Sequence, residues 1–201
     1  QSCDVYFYTI GQRMGIDTMA EYAKDFGLGH ETGIELPSER VGSIPSTAWK
    51  LKVKKEAWLP GETISAAIGQ GYVTVTPLQM ASMIGTVAND GVSYRPRLVQ
   101  AIMDRSTGNL QEMPAVARGK AHAKPETFRI IKEALAAVVT EGTATRAKSS
   151  IVTIGGKTGT AQVAALGKEK KAEKDIPKKF RDHAWFVAFA PVEAPKIAVA
   201  V

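Results

Sequence analysis

The sequence predicts an α+β domain in which an antiparallel sheet is flanked by helices. Three observations carry that prediction. Residues 183–190 are a near-continuous apolar run, as expected of a central strand covered on both faces. Residues 197–201 repeat the pattern, and residues 151–154 are a β-branched run leading into a Gly/Thr-rich stretch. Helical periodicity lies in the segments before them. Helices followed by three successive strands suit an α+β order, and a chain of 201 residues makes one domain the default. No internal repeat is visible.

The first predicted helix covers residues 3–14. Val5, Tyr8 and Gln12 fall on one face, with Phe7, Ile10 and Met14 near the other apolar flank. It is nearly apolar all round, which predicts burial. Ser2 and Asp4 then stand at its N-terminal end, facing a cleft. An acidic residue at a helix start is also favoured by the macrodipole alone. Gly15 ends this helix. Asp17 is read as the cap of a second, residues 18–26, with Gly27 as its stop and Met19, Tyr22, Ala23 and Phe26 as its inward stripe.

Residues 29–62 are rich in Pro, Gly and Ser and read as a long irregular excursion with a Lys/Trp-rich tip at residues 49–58. Its two tryptophans either touch a membrane surface or a partner, or cover the loop's own small core; the second reading is preferred. Thr76-Pro77-Leu78-Gln79 is the sharpest helix start: Thr76 as N-cap, Pro77 at the first position, Gln79 completing a capping box. Leu78, Met80, Ala81, Ile84 and Val87 are its core residues, and Asn89-Asp90-Gly91 stops it. Residues 96–103 and 110–113 form a hairpin around Ser106-Thr107-Gly108-Asn109. Residues 114–124 read as a linker. Pro125 starts a helix with the stripe Phe128, Ile131, Leu135 and Val138, stopped at Gly142. Residues 143–148 are a short helical turn. The lysine-rich loop at 166–180 has little apolar surface to bury and is expected to be mobile.

The net charge of +6 raises the question of nucleic acid, but residues 168–181 hold seven Lys/Arg against three Asp/Glu, and such a run usually solvates a loop. No nucleic-acid recognition motif accompanies it, so none is expected to bind. The single cysteine, Cys3, excludes an intrachain disulfide framework. His30, His122 and His183 lack metal-ligand spacing, so no metal site is expected. There is no signal peptide and no apolar run of about 18 residues or more.

The chemistry is concentrated in Gly155-Gly156-Lys157-Thr158-Gly159-Thr160-Ala161-Gln162. With the β-branched run before it, this reads as a strand passing an open cleft. A glycine inside a strand often marks close approach of a ligand or another backbone, and Gly159 would let a substrate strand lie against the edge. Lys157 supplies a positive charge, and Thr158 and Thr160 supply hydroxyls. Such groups suit a ligand with a carboxylate and a carbonyl that becomes an oxyanion. Lys-Thr-Gly alone is more often a solvated strand end. The first turn of the chain adds weight. Ser-Asp-Asn and Lys-Thr-Gly, together with Ser-x-x-Lys, are the motif set of serine β-lactamases and penicillin-binding proteins, and Ser2-Cys3-Asp4 is a near variant of the first.

The likeness widens past these motifs. Gly33-Ile34-Glu35-Leu36-Pro37, Pro60-Gly61-Glu62-Thr63, Ile68-Gly69-Gln70-Gly71, Thr76-Pro77-Leu78-Gln79-Met80-Ala81 and His183-Ala184-Trp185-Phe186-Val187-Ala188-Phe189-Ala190-Pro191 resemble the class B penicillin-binding proteins, and among them the elongation-type enzymes of the penicillin-binding protein 2 group. The resemblance covers nearly the whole chain. It implies a penicillin-binding protein/serine β-lactamase-like transpeptidase fold. It implies a serine-type D,D-transpeptidase that cross-links peptidoglycan stem peptides ending in D-Ala-D-Ala, with β-lactams acylating the same serine. No cofactor is implied. A membrane glycosyltransferase of the elongation machinery is the implied partner. The implied location is the bacterial inner membrane, with this domain facing the periplasm and the anchor upstream.

By the same resemblance Ser2 is the relay hydroxyl and Lys157 the second cation. Thr158 and Thr160 hold the substrate's carboxylate, and the Thr160 N–H is one oxyanion donor. Gly159 and Gln162 belong to the substrate edge. Gln70 borders the substrate cleft, although a simple turn before a helix would also account for it. Asp4 stands where the family has Asn. An ionised carboxylate only accepts hydrogen bonds, so it meets the substrate's acyl side-chain amide differently or pairs with a lysine. No serine of the chain has a lysine three places on. Residues 1–201 are therefore expected to be the C-terminal part of one transpeptidase domain, lacking the upstream Ser-x-x-Lys segment and inactive alone. Residues 197–201 are expected to be a strand stopped before the helix that usually follows. Two further readings stay open. A serine β-lactamase or β-lactam sensor shares the motifs, though the Thr76 capping box and the Gly-Gln-Gly turn speak against it. A catalytically silent binding module fits the chain as it stands.

Overall fold

The computed structural model describes residues 2–162, 177, 178 and 181–201. Among them the helices are α1 (Asp4–Met14), α2 (Ile16–Asp25), α3 (Thr47–Lys54), α4 (Pro60–Ala67), α5 (Pro77–Ala88) and α6 (Pro125–Thr140). The strands are β1 (Val92–Tyr94), β2 (Ala101–Met103), β3 (Leu110–Glu112), β4 (Ala117–Lys120), β5 (Gly155–Ala161), β6 (His183–Ala190) and β7 (Ile197–Ala200). The loop expected to be mobile lies, apart from residues 177 and 178, outside the described residues.

The main sheet is antiparallel in the order β5-β6-β7, so the apolar run of β6 is central and, among the described residues, β5 has a free edge. Val187 and Phe189 of β6 are buried together with Ile84, Val87 and Ala88 of α5, and Ile131 and Leu135 of α6 pack around them. Each such side chain contributes roughly 1.5–3 kcal/mol by leaving water. This cluster seats α5 and α6 on the sheet and fixes the plane of β5.

The strand begins at Gly155, four residues later than the β-branched run suggested. The Ser149 hydroxyl accepts from the N–H groups of Ile151 at 3.0 Å and Val152 at 3.4 Å. That side-chain turn diverts the backbone before the strand starts. The first two glycines of β5 are explained by aromatic neighbours. A Cβ on Gly155 would stand 2.8 Å from the Phe189 ring, and one on Gly156 2.8 Å from both the Phe186 ring and the Val187 carbonyl.

Burial of α1 is not observed. Only Gly11 is buried, while Val5, Tyr6, Phe7 and Ile10 are exposed. The helix touches α4 where a Cβ on Gly11 would lie 2.5 Å from the Ala67 Cβ, so the closest approach is set by its smallest residue and the apolar flank points away. Asp17 does not cap α2. It lies inside the first turn, and its carboxylate accepts from the N–H and hydroxyl of Thr47 at 2.8 Å each, at the start of α3. Ile16 and Ala20 are buried where Tyr22 was expected to be, and Tyr22 is exposed.

The excursion at 29–62 contains α3 and the first turn of α4. Trp49 and Trp58 pack on Tyr72, with ring centroids 5.4 and 6.4 Å away. Lys50, 1% exposed, pairs with Glu62 at 2.6 Å beneath them. The tryptophans thus cover a local core. The expected linker at 114–124 contains β4, which pairs with β1 through Val92↔Lys120, Ser93↔Gly119 and Tyr94↔Ala117. All four β4 residues are exposed, so no apolar alternation announces the strand. The capping box of α5 is present as expected: the Thr76 hydroxyl accepts from the Gln79 N–H at 3.1 Å, and the Gln79 Oε1 accepts from the Thr76 N–H at 2.9 Å. Gln79 is also buried, its Nε2 donating to the carbonyls of His30 and Val41.

Candidate active site

The free edge of β5, the start of α1 and the turn after α4 enclose an open cleft of about 750 Å³. All eight residues singled out from the sequence line it: Ser2, Asp4, Gln70, Lys157, Thr158, Gly159, Thr160 and Gln162. Sequence reasoning missed Phe7, Tyr8, Ser65, Ala67, Ile68 and Asp182, which also line it. Phe7 and Tyr8 lie three and four residues after Asp4, so helical spacing alone puts them on its side of α1. Asp182 required the strand register, in which its neighbour His183 pairs with Ala161.

Lys157 reaches across the cleft. Its Nζ donates to the Ser2 Oγ at 2.7 Å and to the Thr158 carbonyl at 2.7 Å. Burial lowers the Lys157 pKa below the usual lysine value, because a partly desolvated ammonium is disfavoured; the charge of Asp4 opposes this and raises it. An amine more easily deprotonated, in direct contact with a hydroxyl, is suited to moving a proton.

Gln70 bridges from the opposite wall, its Nε2 donating to the Thr160 carbonyl at 2.9 Å. The carbonyls of Thr158 and Thr160 both accept from side chains beyond the sheet edge. In an antiparallel strand the N–H of a residue points the same way as its carbonyl, so the Thr160 N–H faces the cleft as well. The Thr158 hydroxyl meets the Thr143 hydroxyl at 2.9 Å, a partner supplied by the turn after α6 that sequence reasoning also missed. Gly159 is exposed, and among the described residues a Cβ there would meet only the Trp185 Cβ, at 3.6 Å. Its lack of a side chain serves the open face of the cleft more than the sheet. The arrangement offers a hydroxyl, an amine and an outward N–H around one open space.

A strand edge with such donors, its own Lys157 joined to a serine hydroxyl from the far end of the chain, defines a serine acyl-transfer class of site. The chain belongs to the penicillin-binding protein transpeptidase family: the model of the penicillin binding protein transpeptidase domain matches residues 1–201. Among curated relatives it is 38% identical to the peptidoglycan D,D-transpeptidase MrdA of Acinetobacter baumannii over 201 residues, covering 100% of this chain and 30% of that protein. Among solved structures it resembles penicillin-binding protein PBP2 of Helicobacter pylori in complex with MreC, with a TM-score of 0.78 and 31% identity over 98% of this chain and 34% of that one. It also resembles Pseudomonas aeruginosa PBP2 in complex with WCK 5153, with a TM-score of 0.78 and 34% identity over 98% of this chain and 40% of that one. The chain spans about a third of the length of the curated relatives it matches.

Proposed function

We propose that these residues are the C-terminal part of the transpeptidase domain of a peptidoglycan D,D-transpeptidase, whose acylated serine and its lysine lie outside the 201 residues. The observation that carries this is the 2.7 Å contact between Lys157 and Ser2, 155 positions apart in sequence and meeting in one cleft. In the reaction the serine attacks the carbonyl of the penultimate D-Ala, releases the terminal D-Ala, and the acyl-enzyme is resolved by an amine of a second stem peptide. Ser2 and Lys157 relay the proton that reaches the leaving nitrogen. The Thr160 N–H holds the oxyanion as charge develops on the substrate oxygen. Thr158, Thr160 and Lys157 bind the terminal carboxylate. Gly159 and Gln162 give the substrate strand its edge, and Asp4 sets the field on Lys157.

β-Lactams acylate the same serine in this reading. The protein works on the outer side of the bacterial inner membrane, beside a glycosyltransferase of the elongation machinery. Among the described residues no helix is long and apolar enough to cross a membrane.

The test is acylation by a fluorescent penicillin. The full-length protein is expected to form an adduct that survives denaturation, and the 201-residue chain alone is expected to form none. Thr160→Val should slow acylation by roughly ten- to a hundredfold, the effect of one hydrogen bond to a charged group. Lys157→Ala should slow it more, because it also removes the positive field on Ser2. Rapid turnover of the antibiotic without a lasting adduct would favour a β-lactamase instead.

A further inference from the structure

The hydrogen bond from Gln70 spans the cleft. Gln70 sits on the turn after α4, flanked by Gly69 at φ +73° and Gly71 at φ +70°, and its side chain reaches a carbonyl of the opposite wall. Only the amide nitrogen of Gln70 can serve a carbonyl, so the orientation of the side chain follows from chemistry. An extended ligand adding to the β5 edge brings its own N–H groups to the outward carbonyls of that edge. The Thr158 carbonyl is already met by Lys157, which leaves the Thr160 carbonyl as the acceptor such a ligand would use. To reach it, the ligand must pass between Gln70 and β5.

We propose that Gln70 is a displaceable latch on the Thr160 carbonyl, and so a specificity-determining residue that discriminates ligands by the N–H they bring to the β5 edge. The inference rests on the transpeptidase reading above. A ligand with an amide N–H at this position exchanges one hydrogen bond for another and displaces Gln70. A ligand without one leaves the latch closed. On one side of Gln70 there is space: among the described residues a Cβ on Gly69 would meet nothing within 4 Å, while one on Gly71 would stand 3.3 Å from the Ser65 Cβ.

The test compares acylation of the full-length protein by penicillin G, which carries an acylamino side chain, and by imipenem, which carries a hydroxyethyl group instead. The readout is the ratio of the two second-order rates within one protein sample, so a misfolded fraction cancels. Gln70→Ala removes the competing donor, and the ratio should move toward penicillin G by roughly two- to tenfold, the reach of one neutral hydrogen bond. Gln70→Glu keeps the size but cannot donate when ionised, and should move the ratio the same way. An unchanged ratio, a shift toward imipenem, or a shift with Gln70→Ala alone would overturn the latch while leaving the transpeptidase reading standing. Absence of any adduct with either antibiotic in the wild-type protein would overturn both.

Discussion

The glycines of β5 separate the fold from the site, and a pair of alanine substitutions can show it. In Gly156→Ala the new Cβ would lie 2.8 Å from the Phe186 ring and 2.8 Å from the Val187 carbonyl. The ring can rotate, but the carbonyl belongs to the central strand and is held by its pairing. Overpacking of this kind costs about 1–3 kcal/mol. Removing glycine's freedom from the unfolded chain returns about 0.4–1 kcal/mol. The net is a destabilisation of up to about 2.6 kcal/mol. In Gly159→Ala the new Cβ meets the Trp185 Cβ at 3.6 Å, an ordinary contact, and the backbone there is not in the positive-φ region. Stability should hold or rise by up to about 1 kcal/mol. Yet this methyl group enters the face along which a ligand strand would lie, so acylation of the full-length protein should slow. For a domain of this size each kcal/mol shifts the melting temperature by about 2–4 °C. Thermal unfolding and penicillin acylation of both variants are the assay. If Gly159→Ala destabilises as much as Gly156→Ala, or acylates at the wild-type rate, the division between packing glycines and a ligand-facing glycine is wrong.

Burial pushes the Glu39 carboxyl upward, but hydrogen bonds from Thr32 and Gly33 and the charge of Arg118 outweigh it, so its pKa lies below the ordinary 4.5. A lowered carboxyl stabilises the fold above its unfolded pKa, and that contribution is lost as pH falls through the folded value; Glu39→Gln should therefore flatten the acid limb of stability against pH, read by urea unfolding between about pH 6 and 3. Lys50→Met should lower the melting temperature and red-shift tryptophan emission, because it leaves Glu62 without its 2.6 Å partner beneath Trp58 and Tyr72. Asp4→Asn removes the charge that raises the Lys157 pKa, so the limb of the pH–rate profile owed to Lys157 should move to lower pH; a limb that stays in place or moves upward would show that Asp4 does not act on Lys157.

What was legible in the sequence was what leaves a local mark. The α5 start was announced by Thr76, Pro77 and Gln79 because a capping box is built from residues three apart. β6 was visible because a central strand is apolar on both faces. β4 was not, because Ala117, Arg118, Gly119 and Lys120 are held by backbone pairing and expose their side chains. The exposed flank of α1 was misjudged for a related reason: apolar content says nothing of which side meets a neighbour, and Gly11 decided that. Short motifs and the family resemblance brought the eight site residues together. The contacts from Thr143 and Gln70 were beyond reach, since each joins segments whose proximity exists only in the folded chain.

Those contacts determine what the β5 edge can recognise. A bare strand edge offers donors and acceptors in equal number and invites any other strand to pair with it. Here the outward carbonyls of Thr158 and Thr160 are met by Lys157 and Gln70. The Thr160 N–H remains outward, with the Thr160 hydroxyl beside it. Lys157 carries three donors when charged, of which Ser2 and Thr158 take two. The edge is thus poor in acceptors and rich in donors. A neutral strand adding to it must displace Gln70 to seat an N–H on the Thr160 carbonyl, whereas a carboxylate or an oxyanion meets the Thr160 N–H, the Thr160 hydroxyl and Lys157. A preference for an anionic, carbonyl-bearing ligand would then come from the strand's backbone, with Lys157 of the strand itself and Gln70 from a distant segment occupying the alternatives.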